Sequence, residues 1–260
     1  MEPLSFSAAQ LGGWVGSFLW PLFRIMGFLL AVPVLGTQMV PVRVRLILSV
    51  AIALLVAPLL PPMPRVEGVS PAALLLVVQQ ILIGVILGFF LQLLFQLFVL
   101  MGQMIAMQMG LGFASMIDPS NGVNVAIVSS FYLMFVTMLF VLFDGHLLML
   151  EVLVDSFTVM PVGGRGFSDA ALLQLVHTIS WVFSSAMVLA LPALTALLIT
   201  NFAFGIMTRA APQLNIFALG FPVALMFGLF IIWVSMGSFL DSVEALIREA
   251  FMMMRDLMFI

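Results

Sequence analysis

Two histidines, eleven carboxylates and no cysteine are the material for chemistry in this chain of 260 residues. The densest grouping is Asp144-Gly145-His146 with Glu151 and Asp155 close behind. Such residue types serve as general acids, general bases or metal ligands. His177 lies in a separate segment, so no second histidine stands at metal-ligand spacing, and no His-Glu-x-x-His motif occurs. Gly-x-Ser-x-Gly and Gly-x-x-x-x-Gly-Lys-Ser/Thr are missing too, and nucleophilic hydrolysis and nucleotide binding lack their parts. The absence of cysteine excludes disulfides, thiolate catalysis and Cys-ligated metals. With no Lys, eight Arg and a formal charge of −3, the chain has no basic patch for nucleic acid. It reads as a protein without catalysis, cofactor or nucleic-acid partner.

The remaining polar residues point to packing and passage. Gln92, Gln96 and Gln103 recur near one helical face, and Gly84 and Gly88 form a small-xxx-small pair. Buried amides hydrogen-bond between helices and small residues let backbones approach, so this stretch is expected to pack on partner helices or line a conduit. Arg24 sits inside an apolar segment, where an ionised side chain costs at least ~2.5–3.5 kcal/mol unless it is paired, faces a cavity or snorkels; a buried structural pairing is expected. Residues 101–122 are rich in Met and Gly and end their helical pattern between Gly110 and Asp118-Pro119. Methionine is unbranched and adaptable, so such a stretch is either an ordinary interspan loop with Met as filler or a closure around variable cargo.

These residues have to be positioned by membrane helices. Between Glu67 and Asp118 fifty residues pass without a charge, and thirty-nine more between Asp169 and Arg209. A span needs ~20 mostly apolar residues. The expected fold is all-α and polytopic, with about six apolar segments near 11–36, 44–62, 72–104, 123–143, 172–206 and 213–238, joined as hairpins in a single domain. The start, Met1-Glu2-Pro3, lacks a basic n-region and is read as uncleaved. Asp144 to Asp169 is the region expected to meet water. Residues 239–260 alternate charged and apolar residues as a terminal amphipathic helix, on the membrane surface or against a partner. With the N terminus inside, four Arg fall inside and three outside, which sets no orientation.

Several stretches together resemble the FliR/SctT family of type III export-gate proteins. They are Arg24-Ile25-Met26-Gly27, Val40-Pro41-Val42-Arg43-Val44-Arg45, Ile83-Gly84 with Gly88, Gly110 through Asp118-Pro119, Asp144-Gly145-His146, Leu191-Pro192, Asn201, Gly205, Arg209, Ala211 to Phe217 and Gly220-Phe221-Pro222. The resemblance implies a noncatalytic subunit that joins FliP and FliQ homologues, contacts an FlhB homologue and passes unfolded export substrates. Its place would be the bacterial inner membrane, among membrane lipid, at the flagellar basal body. It also implies a plug at residues 106–122, with Met107, Met109, Leu111, Phe113, Met116 and Ile117 as its seal. Gly110 and Gly112 would supply backbone freedom, and Asp118 with Pro119 would set the loop. Arg209, Pro212 and Asn215 would shape the last hairpin. Gln80 departs from the acidic residue expected there; if a carboxylate pairs with a partner's arginine at that position, an amide hydrogen bond has to replace it here. The alternatives are an injectisome gate component, a secondary transporter using Arg24, Asp144 and Arg209 as coupling or substrate charges, or an intramembrane enzyme centred on His146. No internal repeat supports the transporter.

Overall fold

The computed structural model describes residues 8–33, 36, 40–64, 70–111, 127–164, 166–211 and 220–259. Among them the chain is all helical, with seven α-helices and no strand. These are α1 (Ala8–Ala31), α2 (Val42–Val56, followed by a 3-10 turn Ala57–Leu59), α3 (Pro71–Gln108), α4 (Ile127–Leu142), α5 (Gly145–Val159), α6 (Asp169–Ala210) and α7 (Phe221–Phe259). Gly112, Phe113, Met116, Ile117, Asp118, Pro119, Pro212 and Asn215 lie outside the described residues.

The helix boundaries follow local chemistry. Ser70 and Ser168 cap α3 and α6 by accepting hydrogen bonds from the N–H groups of Ala73 (3.2 Å) and Ala171 (3.0 Å). Pro71 and Pro222 sit in first turns, where a missing N–H is harmless. Asp169 opens α6 and Arg209 lies in its last turn, each complementing the helix dipole. Val42–Leu59, α3, α6 and α7 are long and apolar enough to cross a membrane. A fifth crossing arises if α4 and α5, bent by 69°, form one broken span. Each of the six expected apolar segments overlaps one of α1, α2, α3, α4, α6 and α7.

Two charged stretches are helical in ways that their charges did not announce. Much of the polar stretch from Asp144 to Asp169 is helix α5. Glu151 and Thr158 are exposed and Asp155 half-buried, while Val152, Leu153, Ser156 and Phe157 are buried; counting charges hid an amphipathic period. Residues 239–259 are not a helix of their own but continue α7 without a break. Gly237 alone costs a helix only about 1 kcal/mol, and Val243, Ile247, Ala250, Met254 and Leu257 keep a buried stripe running past it.

The helices pack into two compact units. One comprises residues 1–93, 144–177 and 250–260, and the other residues 94–143 and 178–249. In the first, α1 and α3 touch backbone to backbone. A Cβ on Gly84 would stand 2.0 Å from the Arg24 carbonyl oxygen, on Gly88 2.6 Å from that of Phe28, and on Gly27 2.5 Å from that of Ile81. In the second, Phe239 of α7 meets Phe98 of α3 (5.9 Å between ring centroids) and Tyr132 of α4 (5.1 Å). There Gly102 leaves room for α4, since a Cβ would lie 2.6 Å from the Cα of Ser129.

Candidate functional site

Among the described residues, two groups of those predicted to matter form defined sites, the C-terminal end of α3 and a buried arginine. At the end of α3 the Leu111 N–H bonds to the Ala106 carbonyl (3.0 Å) and the Gly110 N–H to that of Met107 (3.1 Å). With Gly110 at φ +84 this is a Schellman cap, which needs a left-handed residue and is supplied by glycine. Gly110 therefore ends the helix in one defined conformation. The capped end is held from two sides. The Asn201 side-chain amide of α6 donates to the Gln108 carbonyl (3.0 Å). Met109 is buried against Gly228 of α7, where a Cβ would come within 2.6 Å of its side chain, and the Phe221 ring would be 2.9 Å from a Cβ on Gly110. Met107 points away, 66% exposed, and Leu111 is half-buried. The chain thus leaves α3 from a clamped base, with Asn201, Phe221 and Gly228 as its clamps. Gly228 carried no sequence signal, because a glycine in an apolar helix is common.

Arg24 is fully buried in the first unit. Its Nε donates to Gln80 Oε1 (2.8 Å), Nη1 to the Ser156 carbonyl (2.7 Å) and Oγ (3.0 Å), and Nη2 to the Met160 carbonyl (2.7 Å). The guanidinium also lies 4.1 Å from the centroid of the Phe157 ring, a cation–π contact. Every acceptor is neutral, and they come from α3, from α5 and from the residue that follows α5. The pairing expected of Arg24 exists, made by amide, hydroxyl and carbonyl oxygens. The Gln80 amide accepts its hydrogen bond within the chain, from Arg24, and not from an arginine of a partner. Ser156, Phe157 and Met160 were missed because they lie in the stretch read as polar and wet.

The other predicted residues are distributed differently. Gln92 and Gln103 are half-buried and Gln96 is exposed; Ser129 Oγ approaches Gln103 Oε1 at 3.5 Å. Gly84 and Gly88 of α3 pack against α1 of the same chain. Asp144 is exposed and takes φ 56 at the α4–α5 bend, and Arg209 is exposed. His146 is half-buried with Nδ1 unpartnered, and Glu151 pairs with Arg255 (2.6 Å). Among the described residues no three His, Asp or Glu side chains are placed to hold a metal ion.

The described helices are wrapped in apolar side chains that the chain does not cover. On α6 the exposed positions run from Leu173 and Val176 through Phe183 and Val188 to Phe202 and Ile206. That face spans thirty-three residue steps, about 50 Å of helix. Residues 15–250 match the model of the family described as bacterial export proteins, family 1. The chain belongs to that family, the FliR/SctT family. It is 38% identical over 255 residues to the flagellar biosynthetic protein FliR of Pectobacterium carotovorum subsp. carotovorum, covering 98% of this chain and 97% of that protein. It is 37% identical over 254 residues to FliR of Escherichia coli (strain K12), with the same coverage. The surface presentation of antigens protein SpaR of Shigella flexneri is 29% identical over 161 residues, 61% of each chain. As a member of the FliR/SctT family, the chain is a multi-pass membrane protein of type III protein export.

Proposed function

We propose that this chain is a noncatalytic subunit of the flagellar export gate, seated in the bacterial inner membrane at the flagellar basal body. There it assembles with homologues of FliP and FliQ, meets an FlhB homologue and passes unfolded flagellar substrates. The single observation that carries this reading beyond family membership is the length of the bare apolar face on α6. A hydrocarbon core is about 30 Å thick, and even a helix tilted by about 40° would project its 50 Å face over about 38 Å. Lipid alone leaves part of that face in water. Other protein subunits are the natural cover, and the flagellar relatives match over nearly the whole chain.

In this reading the stretch after α3 is the plug. Its fixed end is the Schellman cap at Gly110, clamped by Asn201, Phe221 and Gly228. An unfolded substrate displaces the apolar side chains beyond it, and the gate reseals by burying them again, at about 1.5–3 kcal/mol per side chain. No covalent step is involved. The transporter reading loses its charges: Arg24 is fully buried with every guanidinium nitrogen bonded, and Asp144 and Arg209 are exposed. The test is a deletion strain complemented with the chain or with a version lacking residues 112–120. The intact chain is expected to restore secretion of flagellar subunits, and the shortened chain, if it assembles, to make cells leak ions. Secretion without the chain, or an assembled shortened gate as tight as the original, contradicts the reading.

A further inference from the structure

Helix α6 changes character part-way along its 42 residues. In the second unit Thr178, Val182, Ala186, Ala190, Ala193 and Leu197 form a buried stripe at helical spacing, and beyond Leu197 no residue of the helix is buried. Pro192 stands inside the helix without an N–H, so the Val188 carbonyl lacks the donor that would close its helical bond. Three residues on, the Thr195 hydroxyl donates back to the carbonyl of Leu191 (2.9 Å) or Pro192 (3.0 Å), a second feature that bends helices. The arm that follows, residues 198–210, contains Gly205, around whose Cβ position nothing lies within 4 Å. Its Asn201 donates to the Gln108 carbonyl at the end of α3 (3.0 Å).

We infer that residues 198–210 are a lever that pivots on the turn from Pro192 to Thr195, with the hydrogen bond from Asn201 to Gln108 as its latch. Segments with few buried apolar contacts open at the least cost, and an interior proline is one of the few places where a helix bends sharply. From Pro192 to Gly205 is about 20 Å of helix. A change of about 20° at the pivot carries Gly205 about 7 Å and Asn201 about 5 Å, more than a hydrogen bond survives. Leu197, close to the pivot, moves by under ~3 Å, and the stripe before Pro192 stays packed. Met109 and Gly110 keep their places against Gly228 and Phe221 of α7, so the lever governs one side of the clamp. This motion needs no partner subunit and is read on the chain itself.

The chain contains no cysteine, so pairs of introduced cysteines carry spin labels without background. Gly205→Cys with Met138→Cys reports the lever, and Phe183→Cys with Met138→Cys reports the part of α6 before Pro192; all three positions are exposed. Distances are read by double electron–electron resonance on the full-length chain in nanodiscs. With Asn201→Leu, or Asn201→Ala as the smaller change, a population displaced by up to about 7 Å is expected to grow about fivefold in the lever pair, the effect of losing one ordinary hydrogen bond. The control pair is expected to keep its distance, which also shows that the variant is folded. Adding Pro192→Ala, which restores the missing N–H, or Thr195→Val, which removes the back-bond at nearly constant shape, is expected to narrow the lever distribution again. A lever pair unchanged in both Asn201 variants overturns the proposal. So does equal broadening of the two pairs, which would mean a loosened unit without a hinge, or a displaced population that persists with Pro192→Ala and with Thr195→Val, which would put the pivot elsewhere.

Discussion

Arg24 Nε donates to Gln80 Oε1 at 2.8 Å, tying α1 to α3 across fifty-six positions of sequence in fully buried surroundings. The bond stands beside the place where Gly84 lets the two helix backbones meet. Polar tie and steric fit therefore specify one register of α1 on α3. Gln80 Nε2 has no partner, so the amide is used on one side only.

Replacing Gln80 separates the two roles of its oxygen. Gln80→Leu strands the Arg24 Nε donor in a dry site and is expected to destabilise the chain by ~1–3 kcal/mol. Gln80→Glu removes the unpartnered N–H and puts a negative charge beside a buried positive one, and is expected to raise the unfolding temperature above wild type. Thermal unfolding of the purified chain in detergent reads both. A Gln80→Leu protein as stable as wild type would show that the guanidinium does not depend on that acceptor.

Two glycine substitutions should move in opposite directions. Gly84→Ala puts a methyl group 2.0 Å from a backbone oxygen that no rotamer change can move, so α1 and α3 must part, at ~1–3 kcal/mol or more. Gly205→Ala meets nothing within 4 Å inside α6, five residues before its end at Ala210, and should stabilise that helix by up to ~1 kcal/mol. Comparing the two unfolding temperatures in the isolated chain checks the packing of α1 on α3.

The surface ion pairs should matter little beside Arg24. Arg255 and Glu151 meet at 2.6 Å with about half of each side chain exposed, and Arg248 pairs with Glu244 one turn away. Glu151→Gln is expected to change stability by less than ~1 kcal/mol, as exposed pairs do. A larger loss on thermal unfolding would mean that the pair anchors α7 to α5.

The clamp on the end of α3 predicts a gating phenotype. Asn201→Leu removes the hydrogen bond to the Gln108 carbonyl, worth about 1 kcal/mol, a roughly fivefold shift in the equilibrium between held and released ends. In assembled gates this should appear as a raised ion leak with secretion retained. A leak equal to wild type would separate the α3 end from gating.

The segments and the candidate residues were legible in the sequence to different degrees. Long charge-free runs declare α3 and α6, whereas the serine caps that open them emerged only in the structure. The need of Arg24 for a partner was readable from the cost of a bare charge in apolar surroundings, but its acceptors were not. Two are backbone carbonyls, which no side-chain motif announces, and Ser156 lies in a helix whose acids Glu151 and Asp155 disguised it. The continuity of α7 was hidden for a related reason: a change from apolar to charged residues marks a change of solvent and leaves the backbone helical. Gly110 was legible as a helix end, whereas the residues clamping it lie more than ninety positions away and are joined to it only by the fold.

The most direct test of the central claim is native mass spectrometry of this chain, tagged and co-expressed with the FliP and FliQ homologues of the same genome, after extraction in mild detergent. A complex holding one copy of the chain with several copies of each partner is predicted. Recovery of the chain alone or as a homo-oligomer, with both partners present and folded, would contradict the account.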